Sequence, residues 1–215
     1  MGAQENNQEL RLSELLILAF LWMIFGFMLW YYLSAFHGIP VRLISSEILS
    51  SLLGDNFLNI IENPDKHYLF QVQTNIPFQF PDGSSDLLGF IVNPLIYGFG
   101  LPLLFGLVMA SGATLLKKVI TLLGGYVVIM LIQVWGVVWQ SLKMLAFNFG
   151  EDAHNVIISA GISEEIIALC YQLGVLIFPP LTPIILWVLA NWKLVEQFTG
   201  WQPEENSPAP GTEDT

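Results

Sequence analysis

Residues Leu15 to Phe36 read LLILAFLWMIFGFMLWYYLSAF, a stretch without a single charge. A helix of roughly 20 apolar residues crosses a hydrocarbon core of about 30 Å, so this stretch reads as a membrane span. Trp30, Tyr31 and Tyr32 anchor its end at headgroup level. It is too long for a signal-peptide core and has no basic leader, so it reads as a retained anchor. Three more apolar runs follow, at 92–114, 119–143 and 166–192. The expected fold is therefore an all-α integral membrane protein of four transmembrane helices. Composition agrees: 54% of the 215 residues are hydrophobic and only 12% charged, about half the usual soluble share. That argues against a soluble enzyme and against chain-wide disorder. A net charge of −11 offers no basic stripe, so no nucleic-acid partner is expected. One cysteine, Cys170, excludes an intrachain disulfide and a Cys-based zinc site.

Basic residues set the orientation. Arg11, Lys117, Lys118 and Lys193 fall on one side of a four-span chain, and Arg42, Lys66 and Lys143 on the other. The first set sits in short segments at membrane ends, where the positive-inside rule counts. Both termini are then cytoplasmic: residues 1–14, and an acidic tail over 193–215 whose Pro-rich part from Thr199 reads as disordered. Residues 37–91 and 144–165 lie on the outer side, the latter as a loop.

The outer segment 37–91 reads as a small α+β insert between the first and second spans. Val41, Ile44, Ile48, Leu52 and Leu53 recur every three or four residues, an amphipathic helix with Ser45, Ser46, Glu47 and Ser50 toward water. Gly54-Asp55-Asn56 interrupts it, and a short helical piece ends at Asn63-Pro64-Asp65. Tyr68 to Thr74 alternates as a strand, and Phe78-Gln79-Phe80 continues it. Pro77 and Pro81 confine that second piece to an edge. Pro81-Asp82-Gly83-Ser84 is a turn, and Leu87 to Val92 a return strand. Fewer than about 60 residues bury little core, so this hairpin or three-stranded module must lean on something else.

Two clusters carry helix-packing chemistry. Gly98, Gly100 and Gly106 strip side-chain bulk from the second span, and Gly106 with Ala110 makes a small-xxx-small pair. Pro102 kinks it. These residues suit either a docking groove for another helix or packing within the chain's own bundle, and the second use is favoured. Pro179, Pro180 and Pro183 break the fourth span, since each removes a backbone hydrogen bond. A broken helix at mid-membrane marks some transporter sites, but no paired break or internal repeat accompanies it. A structural kink is favoured.

No catalytic, metal-binding or cofactor-binding residue is assigned. No span carries an ionisable residue at its centre, where an ion path would need one. Gln133, Gln140 and Gln172 suit interhelical hydrogen bonds. Glu164 and Glu165 suit a first helical turn with Ser163 as its cap. Cys170 with His154 is a conceivable thiol pair, but Cys170 lies in an apolar run with no nearby cation to stabilise a thiolate. His37, His67, Asp65 and Glu62 match no standard metal spacing. Trp135 and Trp139 share a helix face and need a packing partner.

The order of elements carries a resemblance. An N-terminal span precedes an Ile39-Pro40 amphipathic helix and a Gln-rich strand. The run Val92-Asn93-Pro94-Leu95-Ile96-Tyr97-Gly98-Phe99-Gly100-Leu101-Pro102-Leu103 follows, then a Gln133-Val134-Trp135-Gly136 span. The chain resembles the exosortase H-associated membrane proteins of Gram-negative bacteria over most of 12–195. The resemblance implies a multi-pass inner-membrane protein that partners exosortase H, a transpeptidase-like enzyme acting on proteins with a C-terminal sorting tail. It transfers no functional residue. Exosortases use Cys, Arg and His on membrane helices, whereas Arg11 and Arg42 here are far in sequence from Cys170. The expected function is a non-enzymatic accessory or scaffold subunit that binds a partner enzyme or a tail-anchored substrate within the bilayer. The alternatives are a small transporter or channel subunit, and a membrane thiol enzyme.

Overall fold

The structure is a computed structural model that describes residues 12–79 and 83–199. Helix α1 (Leu12–Tyr32) meets α2 (Ser34–Leu53) at the single turn residue Leu33. Helical bonding runs on through the junction: the Leu33 amide donates to the Leu29 carbonyl at 3.0 Å, and the His37 amide to the Leu33 carbonyl at 3.1 Å. Only Leu33 separates the two helices, and the amphipathic helix starts at Ser34, earlier than expected. Its buried face runs Ser34, Gly38, Val41, Ser45, Leu49 and Leu53. Ser45 is buried, not turned to water as expected, because it lies one turn from both Val41 and Leu49 on that face.

Gly54 ends α2 with φ +55°, a backbone conformation that suits glycine. A 3-10 turn (Gly54–Asn56) leads into strand β1 (Phe57–Glu62), not the expected helical piece. The correction has a tertiary cause. β1 pairs antiparallel with β2 (Phe70–Gln79), from Phe57 opposite Thr74 to Glu62 opposite Phe70, and turns Phe57 and Ile60 into the core. β3 (Ser85–Val92) completes a sheet of order β1-β2-β3. β2 is thus the central strand, which a proline does not normally tolerate. Pairing with β1 ends at Thr74, however, so Pro77 has only Leu87 of β3 beside it. The register slips between Gln73 and Pro77, and the buried Thr74 hydroxyl bridges the slip by donating to the Leu88 carbonyl at 2.8 Å. Phe80, Pro81 and Asp82, where the expected turn begins, lie outside the described residues.

Among the described residues, three helices are long and apolar enough to cross a membrane: Ser13–Tyr32, Leu115–Phe147 and Glu164–Ala190. The second apolar run does not make a fourth of that kind. It forms α3 (Leu95–Gly98) and α4 (Gly100–Ala110), together about 24 Å long against a core of about 30 Å. The run is trimmed at both ends. Val92 is held in the sheet opposite Phe70, Asn93 Oδ1 accepts the Leu95 amide at 3.0 Å, and Ser111 is extended.

Helix α5 (Leu115–Phe147) has 33 residues and is about 50 Å long, well beyond a bilayer core. Its two halves serve different cores. Ile129 joins Leu15, Ala19, Leu104, Val108 and Trp187 in one buried cluster. Val134, Val137, Leu142 and Leu145 join Val41, Leu49, Phe70, Val72, Phe90 and Ile157 in another. The sheet module therefore leans on the second half of α5. The segment expected as a loop over 144–165 contains α6 (Glu151–Ser159), whose Ala153 and Ile157 close the same core. Next come α7 (Glu164–Gln172), a π-helical turn (Leu173–Ile177), α8 (Phe178–Ala190) and α9 (Trp192–Thr199). The expected tail so begins as a helix, and residues 200–215 lie outside the described residues.

Candidate functional site

Most of the residues singled out in the sequence converge on one joint between α3, α4, α5 and the π-turn. Pro94 starts the local geometry, since its missing N–H costs nothing before a helix. Its carbonyl accepts the Gln133 amide from α5 at 3.3 Å. Gly98 then lies so close to the Gln133 side chain that a methyl group there has no room. Tyr97 is buried and lies over Gly136, which has no side chain to obstruct the ring. Its hydroxyl donates to Gln140 Oε1 at 2.9 Å. Gln133 and Gln140 thus make the interhelical bonds expected of polar groups in an apolar bundle.

The glycine and proline clusters also meet. An α-helical Pro179 carbonyl would bond the amide four residues on, but residue 183 is proline and has no N–H. Gly100 packs on that carbonyl, where a Cβ would come within 2.6 Å. Glycine permits this backbone approach, and a Cα–H to carbonyl contact is the weak bond available there. The last long helix runs from Glu164 to Ala190 with a π-turn at Leu173–Ile177, and Pro179 and Pro180 lie in the first turn of α8 that follows. Gly174 lies against Trp135, whose indole Nε1 donates to the Cys170 carbonyl at 2.9 Å. The Trp135 ring also meets Trp139 at 5.5 Å and Phe178 at 5.7 Å. A shallow surface pocket on this helix is lined by Leu176, Ile177, Pro180, Leu181 and Ile184, all apolar.

Further along α4, Gly106 faces α1, where a Cβ would stand 2.5 Å from the Ala19 carbonyl. Pro102 and Ala110 are buried. Gly98, Gly100 and Gly106 therefore each face a different helix of this chain: α5, α8 and α1. Sequence reading singled out these positions but missed Gly136, Gly125 and Gly26, which make close approaches to Tyr97, Leu104 and Phe105. Their signal was only a glycine within an apolar helix.

The remaining chemistry-bearing residues sit apart. Ser163 caps α7, its Oγ accepting the Ile166 amide at 3.3 Å, with Glu164 and Glu165 in the first turn. His154 uses both ring nitrogens near the α5 end, one 3.0 Å from the Ala146 carbonyl and one 3.4 Å from Glu164. His67 pairs with Glu62 beside the sheet. Among the described residues no three His, Cys, Asp or Glu side chains gather as metal ligands would.

No curated protein and no solved structure matches the chain. A family model does, over residues 9–194, and its description is exosortase H-associated membrane protein. The match spans the long apolar helices, the sheet module and the joint that binds them. The chain belongs to the exosortase H-associated membrane protein family.

Proposed function

We propose that this chain is a non-enzymatic accessory subunit of an exosortase-type sorting system in a Gram-negative inner membrane. It holds the enzyme, or a substrate's transmembrane tail, in the bilayer and presents the sheet module on the periplasmic side. The observation that carries this reading is the family match across 9–194. Two features support it. The Gly/Pro joint packs its helices closely at glycines, Gly98 against the Gln133 side chain of α5 and Gly100 against the Pro179 carbonyl of α8. The outward faces of α1 and α5 stay broadly apolar, with Ile17, Leu21, Ile120 and Leu131 all more than half exposed. Gly98, Gly100, Pro102, Gly106 and Ala110 act in this reading by fixing the bundle's shape, and a partner helix reads the surfaces around them. Both termini are cytoplasmic, and α3–α4 carries the chain back across the bilayer despite its short length.

The test is affinity purification of the tagged full-length protein from its native membranes in mild detergent, with a deletion strain in parallel. Co-recovery of an exosortase-like enzyme or a sorting-tail substrate, with unprocessed substrate in the deletion strain, is the expected result. Normal processing in that strain overturns it. Recovery of the protein alone as a defined oligomer favours a self-contained carrier, and the break at Pro179, Pro180 and Pro183 then becomes the first target.

A further inference from the structure

The sheet has two edges, and they are finished differently. At β1 the Asn59 side chain closes the edge: its Oδ1 accepts the Ile60 amide at 2.8 Å and the Ser46 hydroxyl of α2 at 3.1 Å. At β3 the Leu88 carbonyl faces β2, where it accepts the Thr74 hydroxyl. Backbone groups alternate in direction along a strand, so those of Leu87, Gly89 and Ile91 point away from β2. In keeping with that direction, Asp86 Oδ1 accepts the Leu87 amide at 2.7 Å and closes the first part of the edge. Gly89 and Ile91 have no such cover. Among the described residues β3 pairs with β2 alone, and no other backbone bond reaches these two. Gly89 is exposed, and without a side chain that exposure belongs to its backbone. Leu87 and Ile91 flank it at 47% and 50% exposed. From Leu87 to Val92 the strand carries no charge and no proline, the residues that normally guard an edge.

We propose that this edge binds an extended segment of a partner membrane protein, next to that partner's transmembrane helix, as a fourth strand beside β3. The inference rests on the accessory reading above and names a contact through which it works. Three observations select the occupant. Unbonded amides and carbonyls at every second residue are satisfied by another extended backbone, whereas a helix has already bonded its own and an acyl chain has none. Asn93 alone separates Val92 from Pro94, which opens α3. The edge therefore ends where this chain turns toward the bilayer, the height at which a transmembrane helix gives way to extended chain. Leu87 and Ile91 lie on one face and call for apolar side chains at alternate positions of the ligand, and the exposed Asp86 for a basic one near its far end. A second copy fits less well. β3 runs toward the bilayer, and so does its copy in the same membrane. A two-fold axis then sets amide opposite amide.

A photo-crosslinking residue at position 87 or 91 of the full-length protein, in its native membranes, tests this, with captured peptides mapped by mass spectrometry. The two positions stand about 13 Å apart along a strand. They should capture sites about four residues apart in one segment of a partner, next to its transmembrane helix. A helical ligand, at about 1.5 Å per residue, would space the sites about nine apart and overturn the proposal. So would capture of lipid alone or of a second copy of this chain. Gly89→Pro removes an outward amide, at a position where a Cβ meets nothing closer than 3.7 Å. It should lower the yield from position 91 about fivefold or more, the worth of one modest hydrogen bond. Ile91→Lys, read from position 87, puts a charge on the edge and should do the same. Leu58→Lys, 53% exposed on β1, should leave the yield unchanged. Thermal unfolding of each variant separates a lost edge from a lost fold. Unchanged yield in folded Gly89→Pro and Ile91→Lys proteins overturns the proposal. Co-recovery of an exosortase-like enzyme without any capture at 87 or 91 refutes this contact and leaves the accessory reading standing.

Discussion

At the residue scale, what a glycine faces decides its worth. Gly100 and Gly106 face backbone carbonyls, of Pro179 and Ala19, which have no rotamer to change. Gly100→Ala and Gly106→Ala should each cost about 1–3 kcal/mol, the range for overpacking a tight contact. Gly124, next to the crowded Gly125, has open space within 4 Å of the point where an alanine methyl would stand. Gly124→Ala should instead stabilise by up to about 1 kcal/mol through helix propensity. Thermal unfolding in detergent reads both signs, and equal losses at all three positions would contradict the packing described. Tyr97 offers a second test. Tyr97→Phe keeps the ring over Gly136 but removes the bond to Gln140. Interhelical bonds of this kind average about 0.6 kcal/mol, with an upper value of about 1.7, so a small loss is expected. Ser45 points the other way. Its hydroxyl is buried and finds no partner among the described residues, so Ser45→Ala should be neutral or stabilising in the same assay.

At the element scale, α5 is the decisive structure. A helix of about 50 Å exceeds the bilayer core by about 20 Å, and the excess carries the sheet module. The expected consequence is a change of environment within one unbroken helix. In a Cys170→Ala background, Lys143→Cys should react with a membrane-impermeant maleimide from the sheet-bearing side, while Val128→Cys should stay protected by lipid. Equal protection of both sites would mean that the module lies flat in the membrane. β1 teaches a related lesson. Leu58-Asn59-Ile60-Ile61-Glu62 suits a helix or a strand when read locally. Pairing with residues 70–74 makes it a strand, and that partner lies beyond any local window.

At the scale of the whole molecule, the deciding quantity is how often the chain crosses. Among the described residues three helices have the length, while α3–α4 is short and broken at Phe99. If α3–α4 crosses, the connection over 111–114 lies on the same side as both termini. Short epitope tags appended at the N-terminus and inserted after Gly112 should then be digested from the same side in oriented vesicles. Digestion from opposite sides would leave three crossings and put the termini on opposite faces. The chain's connectivity favours the first outcome, because Leu15, Ala19, Val108 and Ala110 share one buried cluster at the far end from the sheet.

Membrane class, three long apolar helices, the existence of α2 though not its buried face, the β2 and β3 strands, the Ser163 cap and the family were all legible in the sequence. Each rests on hydropathy, period or turn chemistry, which act over a few neighbouring residues. Tertiary structure decided the rest. Nothing local says that Gly100 meets the Pro179 carbonyl, which Pro183 has no N–H to bond, or that Tyr97 lies over Gly136. Nor does local sequence show that Pro77 is tolerated because β1 has run out, or that one helix bridges two cores. Those outcomes depend on which surfaces meet across long separations in the chain. Only close packing of the whole set of helices and strands selects them.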